Sequence, residues 1–567
     1  MTGKIKGLVP FLGLVVAQVA SAAGLMILLQ LLFLRILPAH EFSWYHYLLE
    51  LLVLVPFILF PTPAGFFSDK YPKEKVLRVT SFAAFLFALL VGFSFYAGFR
   101  AGVFIATFCL FCVYAVHSPA KYGYLRELVG VRSLSSGTAS LIAFSIGGFF
   151  LTAVGMSFGF QKLVPGSLKL VHAMMMKAYP LSIGVIVCAF VSFVFAMMLP
   201  DIGSRAPEMR FQWKQYFQLK FASRKLYKMW QNRTLRLSVI GLTLFWVILQ
   251  MSILVFQELY GMDGKLGLSF APALLLSAAG LIFGCIYASR MSRAFIETGL
   301  IPMGTAGASV CIFLIPGAIG NAVAAPVLFA ALGFFGGTFV VPMTSILLYQ
   351  TKPRSAGHVV SFSNAVQYAV LLVLYAVMIL SVRFLHFTAG ELFFILGVIC
   401  LAGAVWGIAM LPQSLLRQLL RGVLSNRYRL DVRGVQNIPW EGPVLFLGNH
   451  TSYIDWALLQ MACPRPLRIV VRRQSFQKWY IDLLLKYMNV IYLDPKDPSP
   501  AMQAAHDALL RREAVALFPE IAISQTGNVN KFRLDYSSVV KGVPNLSLIP
   551  FYVQGLWGSS YSLSSAR

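Results

Sequence analysis

The sequence predicts an all-α twelve-helix membrane bundle followed by an α/β domain. Three observations carry that prediction. Long apolar stretches recur as far as residue 411, lysines and arginines gather in alternate connections, and beyond Asp431 short apolar runs alternate with helical patterns. Of 567 residues, 58% are hydrophobic and 12% charged, and the mean hydropathy is +0.74. A soluble chain is about half apolar and about a quarter charged. The formal charge of +26 accords with basic cytoplasmic loops and anionic membrane lipid as a partner, and not with nucleic acid. The seven cysteines lie mostly within apolar runs and read as packing, with neither a disulfide nor a metal site.

A membrane span takes about 20 apolar residues. Such stretches centre near Val19, Val55, Leu86, Cys109, Phe149, Val191, Ile248, Ala279, Ile312, Phe335, Leu372 and Cys400. Lys4 and Lys6 precede the first, which lacks a small-residue cleavage site and is read as helix one, not as a signal peptide. The loops on their side of the membrane hold most of the lysine and arginine, so both ends of the bundle are assigned to the cytoplasm. The most basic connection, 201–236, divides the spans into two sets of six and reads as an amphipathic helix on anionic lipid. The bundle is assigned to 1–411, an amphipathic linker helix to 412–430 and the α/β domain to 431–567. In the linker, Leu415, Leu416, Leu419, Leu420 and Val423 take one side, with Arg417 and Arg421 between them. Strands are expected at 442–448, 467–471, 490–493, 514–518 and 546–553.

The connection from Gly65 to Val76 combines a glycine that lets helices approach, Asp69 to cap or pair across the bundle, and lysines that stay inside. It resembles the signature of the major facilitator superfamily, and Ala288-Ser289-Arg290-Met291-Ser292-Arg293 echoes it in the second half. Ser118 to Leu125, Leu235 to Ser238 with Leu244-Phe245-Trp246, and Gly336 to Pro342 resemble the bacterial lysophospholipid transporter branch. The resemblance spans about residues 8–411. It implies Lys121 and Arg236 as phosphate or gate contacts, beside Asp69 in the signature. There are departures. Helix one reads Gly24-Leu25-Met26 where the branch carries Gly-Asp-Asn, and Gln367 stands where helix eleven carries an acid, which sets ion coupling at those positions in question. Glu50 is the acidic residue that remains within a span, read either as functional, since that placement is costly, or as sitting near the outer interface.

In the second domain, Gly448-Asn449-His450-Thr451-Ser452-Tyr453-Ile454-Asp455 joins an apolar strand to a short helix. A turn there sets an imidazole and a carboxylate at one mouth. The carboxylate holds one ring nitrogen and leaves the other as a base. Asn449-His450 with Asp455, then Phe518-Pro519-Glu520, then Leu548 to Val553, resemble the glycerolipid acyltransferase family in that order. Asn489 to Pro495, and Thr526-Gly527 with Lys531, resemble the acyltransferase domain of bacterial 2-acylglycerophosphoethanolamine acyltransferase, over about residues 431–560.

The resemblance implies that His450 deprotonates a glycerol hydroxyl, that Asp455 fixes its tautomer, and that amides of the turn hold the oxyanion. It implies substrate contacts at Asn449, Glu520, Lys531, Arg533, Arg472 and Arg473. The family follows Pro-Glu with a glycine and a nearby basic residue, whereas Glu520 is followed by Ile521, Ala522 and Ile523. Lys531 and Arg533 are the nearest replacement cations. Arg465, Arg468, Arg472, Arg473 and Lys478 form a basic patch suited to acyl carrier protein, coenzyme A phosphates or anionic lipid.

The expectation is a multi-pass protein of a bacterial inner membrane, with both termini and the acyltransferase domain cytoplasmic. It would bring a lysophospholipid to the cytoplasmic leaflet and re-acylate it. No bound cofactor is expected. Acyl-ACP or acyl-CoA serves as co-substrate, supplied by acyl carrier protein or a separate acyl-activating enzyme. The rival is a major facilitator exporter of a drug or metabolite with a catalytically silent tail. The changed residues after Glu520 favour the rival; His450, Asp455 and Glu520 together oppose it.

Overall fold

The structure is a computed structural model that describes the chain apart from residues 1, 37–48, 50, 165–170, 204–206, 211–226, 228, 262–269, 294, 319–320, 322, 386–387, 426, 440, 473–486 and 565–567. Glu50, Arg473, Lys478 and most of the amphipathic connection expected within 201–236 lie outside the described residues. The chain forms two compact units, residues 1–296 with 303–404, and residues 297–302 with 405–567.

The first unit is helical. Its elements are α1 (Thr2–Ile36), α2 (Pro61–Lys70), α3 (Lys73–Tyr96), α4 (Arg100–Val129), α5 (Leu134–Leu163), α6 (Val171–Met197), α7 (Arg233–Gly261), α8 (Phe270–Met291), α9 (Leu300–Ala318), α10 (Ala324–Gln350), α11 (Ala356–Leu385) and α12 (Ala389–Met410). Some of these run past the unit boundary in sequence. Among the described residues, ten helices are long and apolar enough to cross a membrane. The number is eleven if the bent pair Leu51–Leu59 and Pro61–Lys70, which turns by 62°, is one span. Pro61 opens α2, where its missing N–H leaves no bond unmade.

Apolar surroundings demand that hydroxyls be satisfied within the helix. Thr80, Thr107, Thr138, Thr243 and Ser345 each donate to the carbonyl four residues earlier. Helices α8 and α10 meet through glycines four apart, Gly280 with Gly284 and Gly333 with Gly337. A Cβ at any of the four would collide with the facing backbone, so the approach requires glycine.

The second unit carries a parallel five-stranded sheet in the order β3-β2-β4-β1-β5, with β1 (Val444–Gly448), β2 (Leu467–Arg472), β3 (Ile491–Leu493), β4 (Ala514–Leu517) and β5 (Ser547–Phe551). Its helices are α13 (Pro412–Leu424), α14 (Asp455–Ala462), α15 (Ser499–Leu510) and α16 (Ser537–Val540). Side chains alternate across the sheet, as a strand requires. Leu445, Val470 and Val515 pack with Met502, Ala505 and Leu509 of α15. Val444, Phe446, Ile469 and Ala516 pack on the other face with Leu416 of α13 and Leu459 of α14. A parallel sheet covered on both faces leaves its strand ends as the place for a site.

The linker helix forms as α13, with one departure from an amphipathic pattern. Arg417 of α13 is buried, while Leu419 and Val423 on the same helix are exposed. The cause is Glu297, which receives the Arg417 Nε at 3.0 Å within the second unit.

Candidate active site

Three strand ends build one site. Gly448 closes β1, and the turn after it carries His450 and leads into α14, whose first residue is Asp455. Gly448 lies against the Phe551 ring of β5, where a side chain would collide. Phe518, just beyond β4, stacks on the His450 ring with centroids 4.6 Å apart, and Phe551 meets Phe518 edge-on. The imidazole is therefore fixed by an aromatic face as well as by hydrogen bonds.

His450 Nδ1 lies 2.9 Å from Asp455 Oδ2. An ionised carboxylate only accepts, so Nδ1 carries the proton and Nε2 is left to accept one. Asp455 is fully buried and also receives the amides of Thr451 at 2.6 Å and Ser452 at 2.8 Å and the Ser452 hydroxyl at 3.1 Å. Three charge-assisted bonds to Oδ2 hold its orientation. The His450 side chain stays 19% exposed.

Asn449 and Glu520, sequence candidates for substrate contact, are placed as braces. Asn449 donates Nδ2 to the Val553 carbonyl at 2.9 Å and accepts the Val553 amide at 2.7 Å, which ties the end of β5 to the turn. Buried Glu520 accepts the His450 amide at 3.1 Å and the Asn530 amide at 2.9 Å, using both carboxylate oxygens. Ser524, which the sequence reading did not single out, donates its amide to the His450 carbonyl at 2.8 Å. No spacing signal pointed to it.

The turn offers no free amide between residues 450 and 455. Besides the bonds above, Tyr453 donates to the Tyr561 carbonyl, Ile454 to the Ser452 hydroxyl and Asp455 to the Ser452 carbonyl. None of those six amides is therefore free to meet an oxyanion.

The cations divide between the two strand ends. The register that sets Ile469 beside Ala516 carries Arg472, three residues on, to the level of Pro519 at the His450 end of the sheet. Exposed Lys531 and Arg533 follow Asn530, and the Arg533 and Leu534 amides both donate to the Pro519 carbonyl, so this segment is laced to the same end. Arg465 instead binds the carbonyls of Pro439, Gly442 and Arg512, and Arg468 pairs with Glu513. These two serve the opposite strand ends. Partial burial lowers the pKa of Arg465. Burial also pushes the Cys463 thiol up to about 11, so it is no thiolate nucleophile near neutrality. Ile521 takes the Gly position of the family pattern with φ of 64°, a left-handed conformation that strains a β-branched residue. Among the described residues no cluster of ligating side chains fits a metal ion.

In the helical unit, the buried Asp69 carboxylate receives the amides of Gly357 at 2.6 Å and His358 at 3.1 Å, at the start of α11, and pairs with His358 Nδ1. Buried Lys121 donates to Gln18 Oε1 at 3.2 Å and lies over the Tyr122 ring. Asn364 bonds the Ser118 hydroxyl, and Gln367 donates to Ser363. Arg236 reaches the Trp230 carbonyl at 3.2 Å. Lys73 of the signature forms a buried pair with Glu127 at 2.7 Å.

A family model described as Acyltransferase matches residues 429–554. The helical part is similar to the lysophospholipid transporter LplT of Photorhabdus laumondii, 26% identical over 348 residues, which covers 57% of this chain and 75% of that protein. It is also similar to LplT of Cronobacter sakazakii, 23% identical over 383 residues, covering 66% of this chain and 88% of that one. The human organic anion transporter MFSD10 (TETRAN) matches with a TM-score of 0.52 at 14% identity, covering 71% of this chain and 99% of that structure. The major facilitator transporter FucP matches with a TM-score of 0.51 at 13% identity, covering 69% and 98%. Those two likenesses speak for the fold. The chain joins a major-facilitator-like membrane domain, which resembles bacterial lysophospholipid transporters, to an acyltransferase-family domain.

Proposed function

We propose that the protein brings a lysophospholipid to the cytoplasmic leaflet and re-acylates it there from an acyl thioester. The observation that carries this reading is the His450–Asp455 pair, buried at its carboxylate and open at its imidazole, in a chain whose membrane part resembles lysophospholipid transporters. In this reading the bundle has twelve spans in two sets of six in a bacterial inner membrane, with both termini and the acyltransferase domain cytoplasmic. Lys121 and Arg236 meet the headgroup phosphate, and Asp69 holds the start of α11.

His450 Nε2 takes the proton of the free glycerol hydroxyl as that oxygen attacks the thioester carbonyl. The C–O bond forms, the C–S bond breaks, and the imidazolium returns its proton to the departing thiolate. Asp455 stabilises the imidazolium without itself taking the proton. Asn449 and Glu520 act as positioning residues. Arg472, Lys531 and Arg533 supply the positive charge for the acceptor phosphate in place of the basic residue missing after Glu520. The donor is an acyl carrier protein or coenzyme A thioester. Tethering keeps the delivered lysolipid at high effective concentration near the base.

The strained Ile521 favours the second reading, a transporter carrying a silent tail. Proteoliposomes given radiolabelled lysophosphatidylethanolamine and each thioester separate the two. The proposal expects diacyl product that vanishes in His450→Ala while uptake persists. Uptake without product in the unaltered protein would establish the silent tail. Neither uptake nor product would point to an exporter of another substrate.

A further inference from the structure

The catalytic turn is braced at one end of α14, and a second brace grips the other end. Helix α14 has eight residues, Asp455 to Ala462, and spans roughly 12 Å. Its last carbonyls are held by α13: Arg417 Nη1 donates to the Cys463 carbonyl at 2.8 Å, and Arg421 Nη2 to the Met461 carbonyl at 3.3 Å. Cations at a helix C-terminus suit both its unmade carbonyl bonds and its dipole.

Two guanidinium groups so close together need an anion. Glu297 provides it. It is fully buried, receives Arg417 through Nε at 3.0 Å to each oxygen, and lies 3.7 Å from Arg421 Nη1. Its own segment is fitted to α13: Thr298 donates to the Ser414 hydroxyl at 2.9 Å, and Gly299 lies where a Cβ would strike the Ser414 carbonyl. The Gly299 amide also donates to Glu297 at 3.2 Å. The second unit thus includes a carboxylate from the connection leading into α9, 120 residues ahead of Arg417.

We propose that Glu297 is a positioning residue for the His450–Asp455 pair, acting through Arg417, Arg421 and α14. This rests on the acyltransferase reading above. Without the carboxylate, the two arginines repel each other in a buried place and turn toward water, releasing the Met461 and Cys463 carbonyls. A short helix freed at one end moves as a unit, and its other end is Asp455. Misplacement by about 1 Å costs on the order of a hundredfold in rate. The bonds of Thr451 and Ser452 to Asp455 limit the shift, so the expected loss is smaller, about tenfold.

The test uses the full-length protein, with lysophosphatidylethanolamine and the thioester that supports turnover. Glu297→Gln should lower kcat per folded molecule about tenfold and leave KM for the thioester unchanged, and Glu297→Asp should restore most of kcat. His506→Ala serves as a structural control, because it breaks the 3.0 Å contact from α15 to the Val539 carbonyl, away from the site and from the basic patch. It should lower thermal stability with kcat per folded molecule intact. If Glu297→Gln does not fold, Gly299→Ala tests the same path, since it keeps all three charges and displaces Ser414 of α13. Wild-type kcat in the variants, or a loss explained by the unfolded fraction alone, would overturn the inference. Absence of turnover in the unaltered protein would instead overturn the acyltransferase reading.

Discussion

Two buried aspartates, one in each unit, meet the same set of groups and put it to opposite ends. Asp69 accepts two backbone amides and pairs with the Nδ1 of a histidine, and so does Asp455. Asp69, however, finds its partners 288 residues away, on a different helix, and His358 is almost wholly enclosed, with 2% of its side chain exposed. Asp455 finds its partners within five residues, and His450 keeps 19% of its side chain open. A histidine–carboxylate pair is therefore not by itself a mark of catalysis. Joining distant helices, it acts as a fastener; formed within one turn with an open ring edge, it is placed to serve as the base of the proposed acyl transfer.

Substitutions can break this contrast. Asp455→Asn keeps the shape of the turn but withdraws the charge that supports an imidazolium, and acyl transfer should fall by about two to four orders of magnitude. Lysolipid uptake, measured on the same proteoliposomes, should not change. Asp69→Asn should do the reverse. Hydrogen bonds to a charged group contribute about 1.5–3 kcal/mol each, so uptake should fall about tenfold or more. Acylation of lysolipid supplied directly to the acyltransferase side should persist. Equal losses of both activities in either variant would dissolve the distinction between fastener and base.

Smaller effects sharpen it. Among the described residues, non-glycine residues with positive φ are Asn489, Arg512, Ile521 and Asn545, all in the second unit. Ile521→Gly should relieve about 1–2 kcal/mol of strain and raise the melting temperature of that unit by a few degrees in calorimetry. Acyl transfer should survive it, because Glu520 keeps its bonds to the His450 and Asn530 amides. The smallest effect concerns Cys463. With its thiol pushed up to about 11 by burial, iodoacetamide at neutral pH should leave acyl transfer unchanged, as an assay before and after alkylation would report.

What could be read beforehand follows from periodicity. Apolar runs long enough to span a membrane, and apolar strands bounded by turn residues, are local signals; β1, β3, β4 and β5 fall within the expected stretches, and β2 runs one residue past its own, to Arg472. The nearness of His450 and Asp455 was local as well. The part played by Glu520 was not, since a residue pattern names a carboxylate without saying whether it faces a substrate or a main-chain amide. The spent amides of residues 450 to 455 were invisible for the same reason. The linker misled most. An amphipathic pattern assigns Arg417 to water, whereas a carboxylate far earlier in the sequence meets it in a buried place. Replacing Glu297 with a neutral residue leaves a buried charge at a typical cost of about 3–5 kcal/mol, which no periodicity encodes.

The Glu297–Arg417 pair also sets an order on biosynthesis. At roughly 5–20 residues per second, the 120 residues between them take on the order of ten seconds to make. For that time the ribosome has released the carboxylate and not yet its guanidinium. The second unit thus includes a segment made well before its own first strand, and a gene split between codons 302 and 405 would yield two products, neither carrying both halves of the pair. Recombination that moves the acyltransferase between chains has to carry residues 297–302 with it or find another anion for Arg417.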